Sequence, residues 1–390
     1  MKRIYLDNAA TTMLNGEVLQ EMMPYFTDIY GNSSSLHSFG RESVSAVDNA
    51  RDIIAKCINA TSNEIYFTSG GTEANNWAIR GIAHANKKKG NHIITSAIEH
   101  HSIIDCCKQL EKEGFEVTYL PVDKTGLVSV SELIHEIRPT TTLVSIMAVN
   151  NEVGTIQNLK AISELVKFYG AYFHVDAVQA LSSIKLDVQE MGIDLMSISA
   201  HKIHGPKGAG ALYIKKGVKI DPFMIGGEQE RKKRGGTVNV PAIVGFGKAC
   251  ELNERDFEFK NKKLFELSSY FISKVEYEIP DIKINGNMSQ KANGIVSISF
   301  RSVEGENLIM MLDMKGIAVS SGSACASGSL EKSHVLVAMG LSDQEVRGTV
   351  RFSFGIDVTR DDIDYVVRNL QEIVENLRKS SPLKSKKKEN

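Results

Sequence analysis

Residues 64–88 read EIYFTSGGTEANNWAIRGIAHANKK, and this stretch contains the unit from which the fold is built. An apolar run of strand length, 64–68, leads through two glycines and a threonine into a segment of helical period, Thr72 to Lys88. Further strands are predicted at 92–96, 117–120, 142–147, 172–175, 195–199 and 210–214. Because strands that alternate with helices form parallel sheets, we predict an α/β fold with a mostly parallel central sheet and helices on both faces.

A second unit, in which strands and helices follow one another in a different pattern, is predicted after a long helix at about 241–275. In it, the predicted strands and helices are 294–300, 304–315, 317–320, 331–339, 349–353 and 360–378. We therefore predict a large domain over residues 15–260 and a smaller α+β domain formed by residues 1–14 and 261–378. The lysine-rich residues 379–390 are predicted to be a disordered basic tail.

The composition limits the class of protein. The 390 residues are 42% hydrophobic and 24% charged, and the net charge of −1 gives no general attraction to nucleic acid. No apolar run approaches the roughly 20 residues that span a bilayer, and Asp7 and Asn8 come too early for a signal peptide. Five cysteines, an odd number without a CxxC pair, favour reduced thiols in the cytoplasm and no metal site.

Reactive or polar side chains follow four predicted strands where each strand ends. After strand 64–68, Gly71 and Thr72 begin a helix whose free backbone N–H groups suit a phosphate. Three other strands are followed by His100, Asn151 and Asp176. Each of these could alone be a satisfied polar group. Because ligands collect at the carboxyl edge of an open parallel sheet, we expect the four sets to share one site.

Lys202 follows another strand, in the stretch SISAHKIHGPKGAG at 197–210. Burial beside two imidazoles would lower the pKa of this lysine, and a neutral amine can condense with an aldehyde. Lys202, the Asp176 carboxylate and a phosphate cup formed by Gly71, Thr72, Ser199 and His201 are together what pyridoxal 5'-phosphate (PLP) requires. The alternatives are a surface lysine, or a His201–His204 metal pair for which spacing supplies no third ligand.

Cys325 lies in SSGSACASGS at 320–329, where all nine residues besides the cysteine are small. Such a stretch buries little apolar area, so its backbone is expected to be loose. A loop of this kind could bring the sulfur of Cys325 to a substrate and carry the product away. The alternative is a surface loop whose cysteine is incidental.

The sequence resembles the cysteine desulfurases, a group of class V, fold-type-I PLP enzymes, over nearly its whole length. The motifs that carry the resemblance are YLDNAATT at 5–12, SSLHSFGR at 34–41, TSGGTEANN at 68–76, IEHHS at 98–102, VNNEVGTIQ at 149–157, HVDAVQ at 174–179, SAHKIHGPKG at 199–208, RGGT at 234–237, SSGSACASG at 320–328, HVLVAMG at 334–340 and VRFSFG at 350–355. The SSGSAC motif is typical of the branch with a long catalytic loop. Ser33, where the family usually has proline, is a small departure that concerns loop stiffness.

The resemblance implies a role for each matching residue. Lys202 would form the covalent bond to PLP, Asp176 would pair with the pyridine nitrogen, and Gln179 would contact the ring hydroxyl. His100 would stack on the ring and take part in proton transfer. The remaining cofactor contacts would be Gly71, Thr72, Asn151, Ser199, His201 and, from the neighbouring subunit, Thr237. The substrate carboxylate would be bound by Asn151 and Arg351, since the planar guanidinium can bind a carboxylate through two hydrogen bonds.

The implied function is a PLP-dependent cysteine desulfurase that converts L-cysteine to L-alanine and forms a persulfide on Cys325. The resemblance also implies a cytoplasmic homodimer that delivers sulfur to acceptor proteins, for iron–sulfur cluster assembly or tRNA thiolation, with no membrane or direct nucleic acid contact. Two other interpretations stay open. One is another class V PLP enzyme, an aminotransferase or selenocysteine lyase; the other is a non-enzymatic sulfur carrier, which leaves the strand-end residues unexplained.

Overall fold

The computed structural model describes residues 2–321 and 332–380. The helices are α1 (Gly16–Met22), α2 (Pro24–Thr27), α3 (Ser38–Cys57), α4 (Gly71–Ala85), α5 (His101–Lys112), α6 (Val130–Glu136), α7 (Leu159–Phe168), α8 (Gln229–Lys232), α9 (Val240–Arg255), α10 (Phe257–Glu278), α11 (Gly305–Asp313), α12 (His334–Ala338), α13 (Asp343–Arg347) and α14 (Arg360–Ser380). The strands are β1 (Ile4–Tyr5), β2 (Ile65–Thr68), β3 (His92–Ser96), β4 (Glu116–Leu120), β5 (Thr141–Met147), β6 (Tyr172–Asp176), β7 (Leu195–Ser199), β8 (Gly210–Ile214), β9 (Ile282–Asn285), β10 (Ile295–Phe300), β11 (Ile317–Ala318) and β12 (Thr349–Ser353). Cys325 and residues 381–390 of the predicted tail lie outside the described residues.

Seven strands form the large sheet, in the order β2-β8-β7-β6-β5-β3-β4. Strands β7, β6, β5, β3 and β4, neighbours in that order, pair in parallel. Strand β8 runs antiparallel to both β7 and β2. Consecutive residues of a strand point to opposite faces. In β3, accordingly, Ile93 joins the core beneath α4 and α5, whereas Ile94 joins the core that includes α3, α7 and α9. The predicted α/β class, with helices on both faces of a mostly parallel sheet, is confirmed.

One side chain in the middle of the sheet bonds to both neighbouring strands. His174 of β6 is fully buried, with Nδ1 2.8 Å from Ser145 Oγ in β5 and Nε2 3.0 Å from Ser197 Oγ in β7. Burial lowers the pKa of His174 to about 3, so the ring is neutral and each nitrogen has a hydroxyl partner. These bonds hold β5, β6 and β7 in register two residues before Asp176.

A second hydrophobic core lies in the later part of the chain. There β9, β10 and β12 form an antiparallel sheet, and β1 pairs in parallel with β11. Ile4 and Leu6 from the N-terminus share this core with side chains of α10, α11 and α14. The domain boundaries at residues 15, 260 and 378 stay a prediction.

The single helix predicted at 241–275 is wrong. The chain forms α9 and α10 instead, and Asp256 between them has φ −103° and ψ 6°, outside regular helix geometry.

No helix within residues 2–321 and 332–380 is long and apolar enough to cross a membrane. The same residues contain no group of three His, Cys, Asp or Glu side chains arranged to hold a metal ion.

Candidate active site

A cavity of about 310 Å³ lies at the carboxyl edge of the parallel strands, where β3, β5, β6 and β7 end beside the start of α4. The predicted site residues that line it are Gly71, Thr72, His100, Asn151, Asp176, Gln179, His201, Lys202 and Arg351. A larger cleft of about 1030 Å³ lies elsewhere, and its described lining includes none of these residues. Because ligand sites combine apolar walls with a few convergent polar groups, we take the smaller cavity as the candidate active site.

Three predicted site residues are not among the described residues that line this cavity. Ser199 is buried at the end of β7, and its hydroxyl donates to the carbonyl of Ala209 at 3.4 Å. Thr237 is exposed to solvent. Cys325 lies outside the described residues.

The two histidines that flank Lys202 bind the N-terminal segment. His201 Nδ1 lies 3.2 Å from Thr11 Oγ1, and His204 Nδ1 donates to the carbonyl of Met13 at 3.0 Å. Lys202 Nζ donates to the carbonyls of Ala9 and Ala10. Burial, with a contribution from the Lys202 and Lys207 charges, lowers the pKa of His201 to about 4. The two imidazoles and the Lys202 amine together attach residues 9–13 to the strand end, and Ala9 and Ala10 form part of the cavity wall.

The start of α4 approaches the loop after β6 closely. A Cβ atom on Gly71 would lie 2.5 Å from Cγ2 of Val178, so only glycine allows this approach without a shift of the neighbouring side chain. Helix α4 thus presents to the cavity its N-terminus, where the first backbone N–H groups have no acceptor within the helix.

Asp176 is buried at the end of β6 and accepts two hydrogen bonds. Its Oδ1 accepts from the backbone N–H of Val178 at 2.9 Å, and its Oδ2 accepts from Nδ2 of Asn75 in α4 at 2.8 Å. These bonds fix the orientation of the carboxylate in the cavity. Asn75 lies in the TSGGTEANN motif but was not predicted as a site residue.

Gln179 provides a test of whether these residues fit PLP. Its Oε1 is buried and has no hydrogen-bond partner among residues 2–321 and 332–380. A buried oxygen without a partner is costly, so it indicates a polar group that binds there. A lysine amine, a carboxylate, this amide oxygen and a helix N-terminus are suited to an aldehyde, a pyridine nitrogen, a ring hydroxyl and a phosphate, so the residues present fit PLP.

Arg351 of β12 is buried and is held on two sides. Its Nη1 donates to the carbonyl of Asn151 at 2.9 Å, and its Nη2 forms a 2.8 Å ion pair with Asp7. The guanidinium also lines the cavity, so the N-terminal segment and β12 present a cation to any ligand there. Asp7 was not predicted as a site residue, although it lies in the YLDNAATT motif.

Glu99 is a fully buried carboxyl group in the cavity wall. Its Oε1 accepts from Ser96 Oγ at 2.5 Å and from the backbone N–H of Met147 at 2.9 Å, and so joins the ends of β3 and β5. Burial, with a contribution from the Asp176 charge, raises the pKa of Glu99 to about 8. Glu99 is therefore a neutral acid at pH 7. It was not predicted as a site residue, and only its place in IEHHS pointed to it.

Residues 333 and 334 are attached to this same wall. Ser333 Oγ donates to Glu152 at 2.6 Å, and His334 Nε2 donates to the carbonyl of Glu99 at 2.8 Å. The rings of His101 and His334 lie 4.8 Å apart between centroids. The described chain therefore resumes, after residue 331, in direct contact with the cavity.

A mostly parallel sheet with a lysine, a carboxylate and a helix N-terminus at its carboxyl edge defines a fold-type-I α/β enzyme. The Aminotransferase class-V family model matches residues 4–366. Cysteine desulfurase IscS from Clostridium botulinum is 52% identical over 384 residues, which are 98% of this chain and 97% of that protein. The chain belongs to the aminotransferase class-V family and, within it, to the cysteine desulfurases.

Solved structures agree with this assignment. A NifS-like protein superimposes with a TM-score of 0.91 at 37% identity, over 96% of this chain and all of that one. The structure of SspA in complex with cysteine gives a TM-score of 0.81 at 36% identity, over 90% of this chain and 98% of that one.

The neutral state of Glu99 can be tested with two variants. Glu99→Gln keeps an acceptor for Ser96 and Met147, and we expect the free energy of unfolding to change by less than about 1 kcal/mol at pH 4.5, where the carboxyl group is protonated in the folded protein and half protonated when unfolded. Glu99→Ala leaves the Met147 N–H unsatisfied and should cost about 2–3 kcal/mol. Denaturant unfolding of the two variants measures both values.

The pH dependence of this difference has a definite sign. Because the folded pKa of Glu99 (about 8) lies above its ordinary value of 4.5, the bound proton stabilises the folded protein fully below pH 4.5. This stabilisation is lost as the pH rises through 8. The Glu99→Gln variant, which does not titrate, should therefore gain stability relative to the wild type between pH 5 and 9. A constant difference over that range would contradict a neutral Glu99.

Proposed function

We propose that this chain binds PLP covalently through Lys202 and transfers the sulfur of L-cysteine to Cys325, with release of L-alanine. The observation that carries the proposal is the meeting of Lys202, Asp176 and the Gln179 oxygen, which has no partner in the described part of the chain, in one cavity of a class-V family member. The structure of the relative SspA in complex with cysteine supports the choice of substrate.

The cavity residues would hold the cofactor at its polar groups. We propose that Asp176 pairs with the pyridine nitrogen, that Gln179 bonds the ring hydroxyl, and that the N-terminus of α4, with Thr72, binds the phosphate. Ser199 and His201 are proposed to complete the phosphate site. Asn151 and Arg351 are proposed to bind the substrate carboxylate.

Two side chains would move protons in the reaction. When bound, PLP withdraws electrons from the substrate, so that its Cα proton becomes removable and its Cβ–Sγ bond can break. The Lys202 amine, once displaced by the substrate amine, takes the Cα proton and can return it. His100 lines the same cavity and is proposed to exchange a proton with the substrate.

Sulfur transfer requires a nucleophile, and Cys325 supplies it. The Cys325 thiolate attacks the substrate sulfur as the Cβ–Sγ bond breaks, and the electron pair of that bond passes to Cβ, which is then protonated. The balanced reaction converts the Cys325 thiol and L-cysteine into a Cys325 persulfide and L-alanine. No external oxidant is needed, because Cβ keeps the electron pair of the broken Cβ–Sγ bond and is reduced to the methyl group of alanine, while the two sulfur atoms are oxidised to the persulfide level.

Lys202→Ala tests the covalent link to the cofactor. After incubation with PLP and borohydride reduction, peptide mass mapping of the wild type should show the cofactor mass on the peptide that contains Lys202. The Lys202→Ala variant should lack this modification and lose more than about 100-fold in alanine formation. The matched control is Lys207→Ala, an exposed lysine five residues later that should behave as the wild type. An unmodified Lys202 in the wild type would overturn the assignment.

Cys325→Ser tests the sulfur acceptor. The variant should bind PLP with an unchanged absorbance spectrum, because Cys325 has no part in holding the cofactor. Alanine and sulfide formation from L-cysteine, measured with a thiol reductant, should fall by at least about 100-fold. Cys57→Ser, a half-buried thiol away from the cavity, is the control and should keep its activity. Normal turnover by Cys325→Ser would show that the sulfur leaves by another route.

We further propose a homodimer in which Thr237 reaches the phosphate of the partner's site. The Arg234–Glu73 ion pair of 2.8 Å holds the segment before Thr237 against α4, and Thr237 itself faces solvent. Two large apolar side chains are almost fully exposed, Ile225 at 93%, twelve residues before Thr237, and Leu36 at 92%. Such surfaces favour burial against a second copy.

Subunit mixing tests the shared site. In a mixed dimer of Lys202→Ala and Thr237→Glu chains, one site has both substitutions and the other has neither. Random exchange of the two inactive parents should therefore recover about a quarter of wild-type activity per chain. Lys202→Ala mixed with a Lys202→Ala, Thr237→Glu double variant is the control and should stay inactive. No recovery from the first mixture, in samples shown to have exchanged subunits, would contradict a contribution across the dimer.

The destination of the sulfur is proposed only as a class. A persulfide on Cys325 can pass its outer sulfur to a thiol or scaffold of an acceptor protein, in iron–sulfur cluster assembly or in tRNA thiolation. The cytoplasmic location expected from the cysteine content is proposed with it.

A further inference from the structure

A chain of hydrogen bonds joins the carboxylate of Asp176 to the ring of His100. Asn75 Nδ2 lies 2.8 Å from Asp176 Oδ2 and 2.9 Å from Ser102 Oγ, and Ser102 Oγ lies 2.8 Å from His100 Nδ1. The linking side chains come from α4 and α5, and Asn75 is only 1% exposed. These contacts connect two catalytic groups of the cavity through residues to which the resemblance gives no role.

The direction of each bond follows from the chemistry of its partners. A carboxylate accepts hydrogen bonds, so Asn75 turns its NH₂ group toward Asp176, and its second N–H points to Ser102 Oγ. The backbone N–H of Ser102 donates to His100 Nδ1 at 3.1 Å. Because a backbone N–H can only donate, Nδ1 carries no proton, and the Ser102 hydroxyl donates to the same nitrogen.

We infer that Asn75 and Ser102 are positioning residues that hold His100 as the tautomer with its proton on Nε2. His100 therefore begins the reaction as a proton donor at Nε2, and it can accept a proton there only after it has given one away. The removal of the substrate Cα proton then falls to Lys202. This catalytic consequence rests on the proposed function, whereas the tautomer itself does not.

The surroundings of His100 oppose a second proton. Burial lowers the pKa of His100, the Asp176 carboxylate raises it, and the Lys202 amine after β7, His101 of α5 and His334 of α12 lower it. Glu99, next in the chain, is neutral near pH 7. A second proton would have to bind at Nδ1, where two donors already point. The imidazole is thus expected to be neutral across the working pH range.

The tautomer can be read directly by nitrogen NMR of ¹⁵N-histidine-labelled protein without cofactor. The His100 signals are assigned by their loss in His100→Asn. We expect an unprotonated, hydrogen-bonded Nδ1 and a protonated Nε2 at pH 7.5. A protonated Nδ1, alone or together with Nε2, would overturn the inference. A protein with the expected tautomer but no PLP-dependent activity would instead contradict the proposed function alone.

Variants separate positioning from mere structural support. Ser102→Ala removes one donor to Nδ1, so the NMR-measured pKa of His100 should rise by about one unit, and kcat should fall about tenfold with KM little changed. Ser102→Thr, which keeps the hydroxyl, should restore both. Asn75→Ala, which frees the Ser102 hydroxyl to rotate, should shift the titration in the same direction.

The control for Asn75 is a buried asparagine at the other end of α4. Asn86, which follows the last residue of α4, donates to the carbonyls of Ile82 and Lys219. Asn86→Ala therefore removes a comparable pair of hydrogen bonds at the end of the helix away from Asn75. It should leave the His100 spectrum and titration unchanged. If Ser102→Ala and Asn75→Ala also leave them unchanged, the positioning role is wrong.

Discussion

The pair of hydrogen bonds made by His174 fixes the part of the sheet on which the site depends. The ring joins Ser145 of β5 to Ser197 of β7 across β6, in the fully buried centre of the sheet. Because all three strands run in parallel, holding their register also aligns their carboxyl ends. Asp176 is two residues beyond this ring, so a shift of one strand would move the carboxylate relative to Lys202 and to the start of α4. Replacing His174, which is uncharged and makes two hydrogen bonds, would leave the buried hydroxyls of Ser145 and Ser197 unsatisfied.

The cavity is also closed by chain segments that are far apart in sequence. Residues 9–13 lie against the strand end that carries Lys202, and Arg351 of β12 pairs with Asp7 beside the carbonyl of Asn151. The large sheet alone would supply the lysine and the carboxylate at an open edge. The N-terminal segment and the second core add the wall and a buried guanidinium, which together make a pocket of about 310 Å³ instead of an exposed strand end.

The sequence was sufficient for the parts of the fold that have a local signature. Apolar strand runs predicted β3, β7 and β8 to the residue, and strand ends predicted which side chains would meet, as Asp176 and Lys202 do in the cavity. The break at Asp256 was missed, because helical period continues through it without glycine or proline. Asn75, Glu99 and Asp7 were missed for a different reason. Their partners are set by the packing of distant elements, and spacing along the chain carries no such information.

Burial leaves most of the polar wall of the cavity uncharged. It lowers the pKa of His100, His201 and His334 and raises that of Glu99, so these four groups are neutral near pH 7. The charges that face the cavity are then chiefly those of Asp176, Lys202 and Arg351, and Arg351 is already paired with Asp7. In a desolvated site each charge acts over a longer distance than in water. With a neutral wall, the Asp176 carboxylate would act on the pyridinium that we propose it pairs with, and Arg351, already paired with Asp7, would bind the substrate carboxylate that we propose for it.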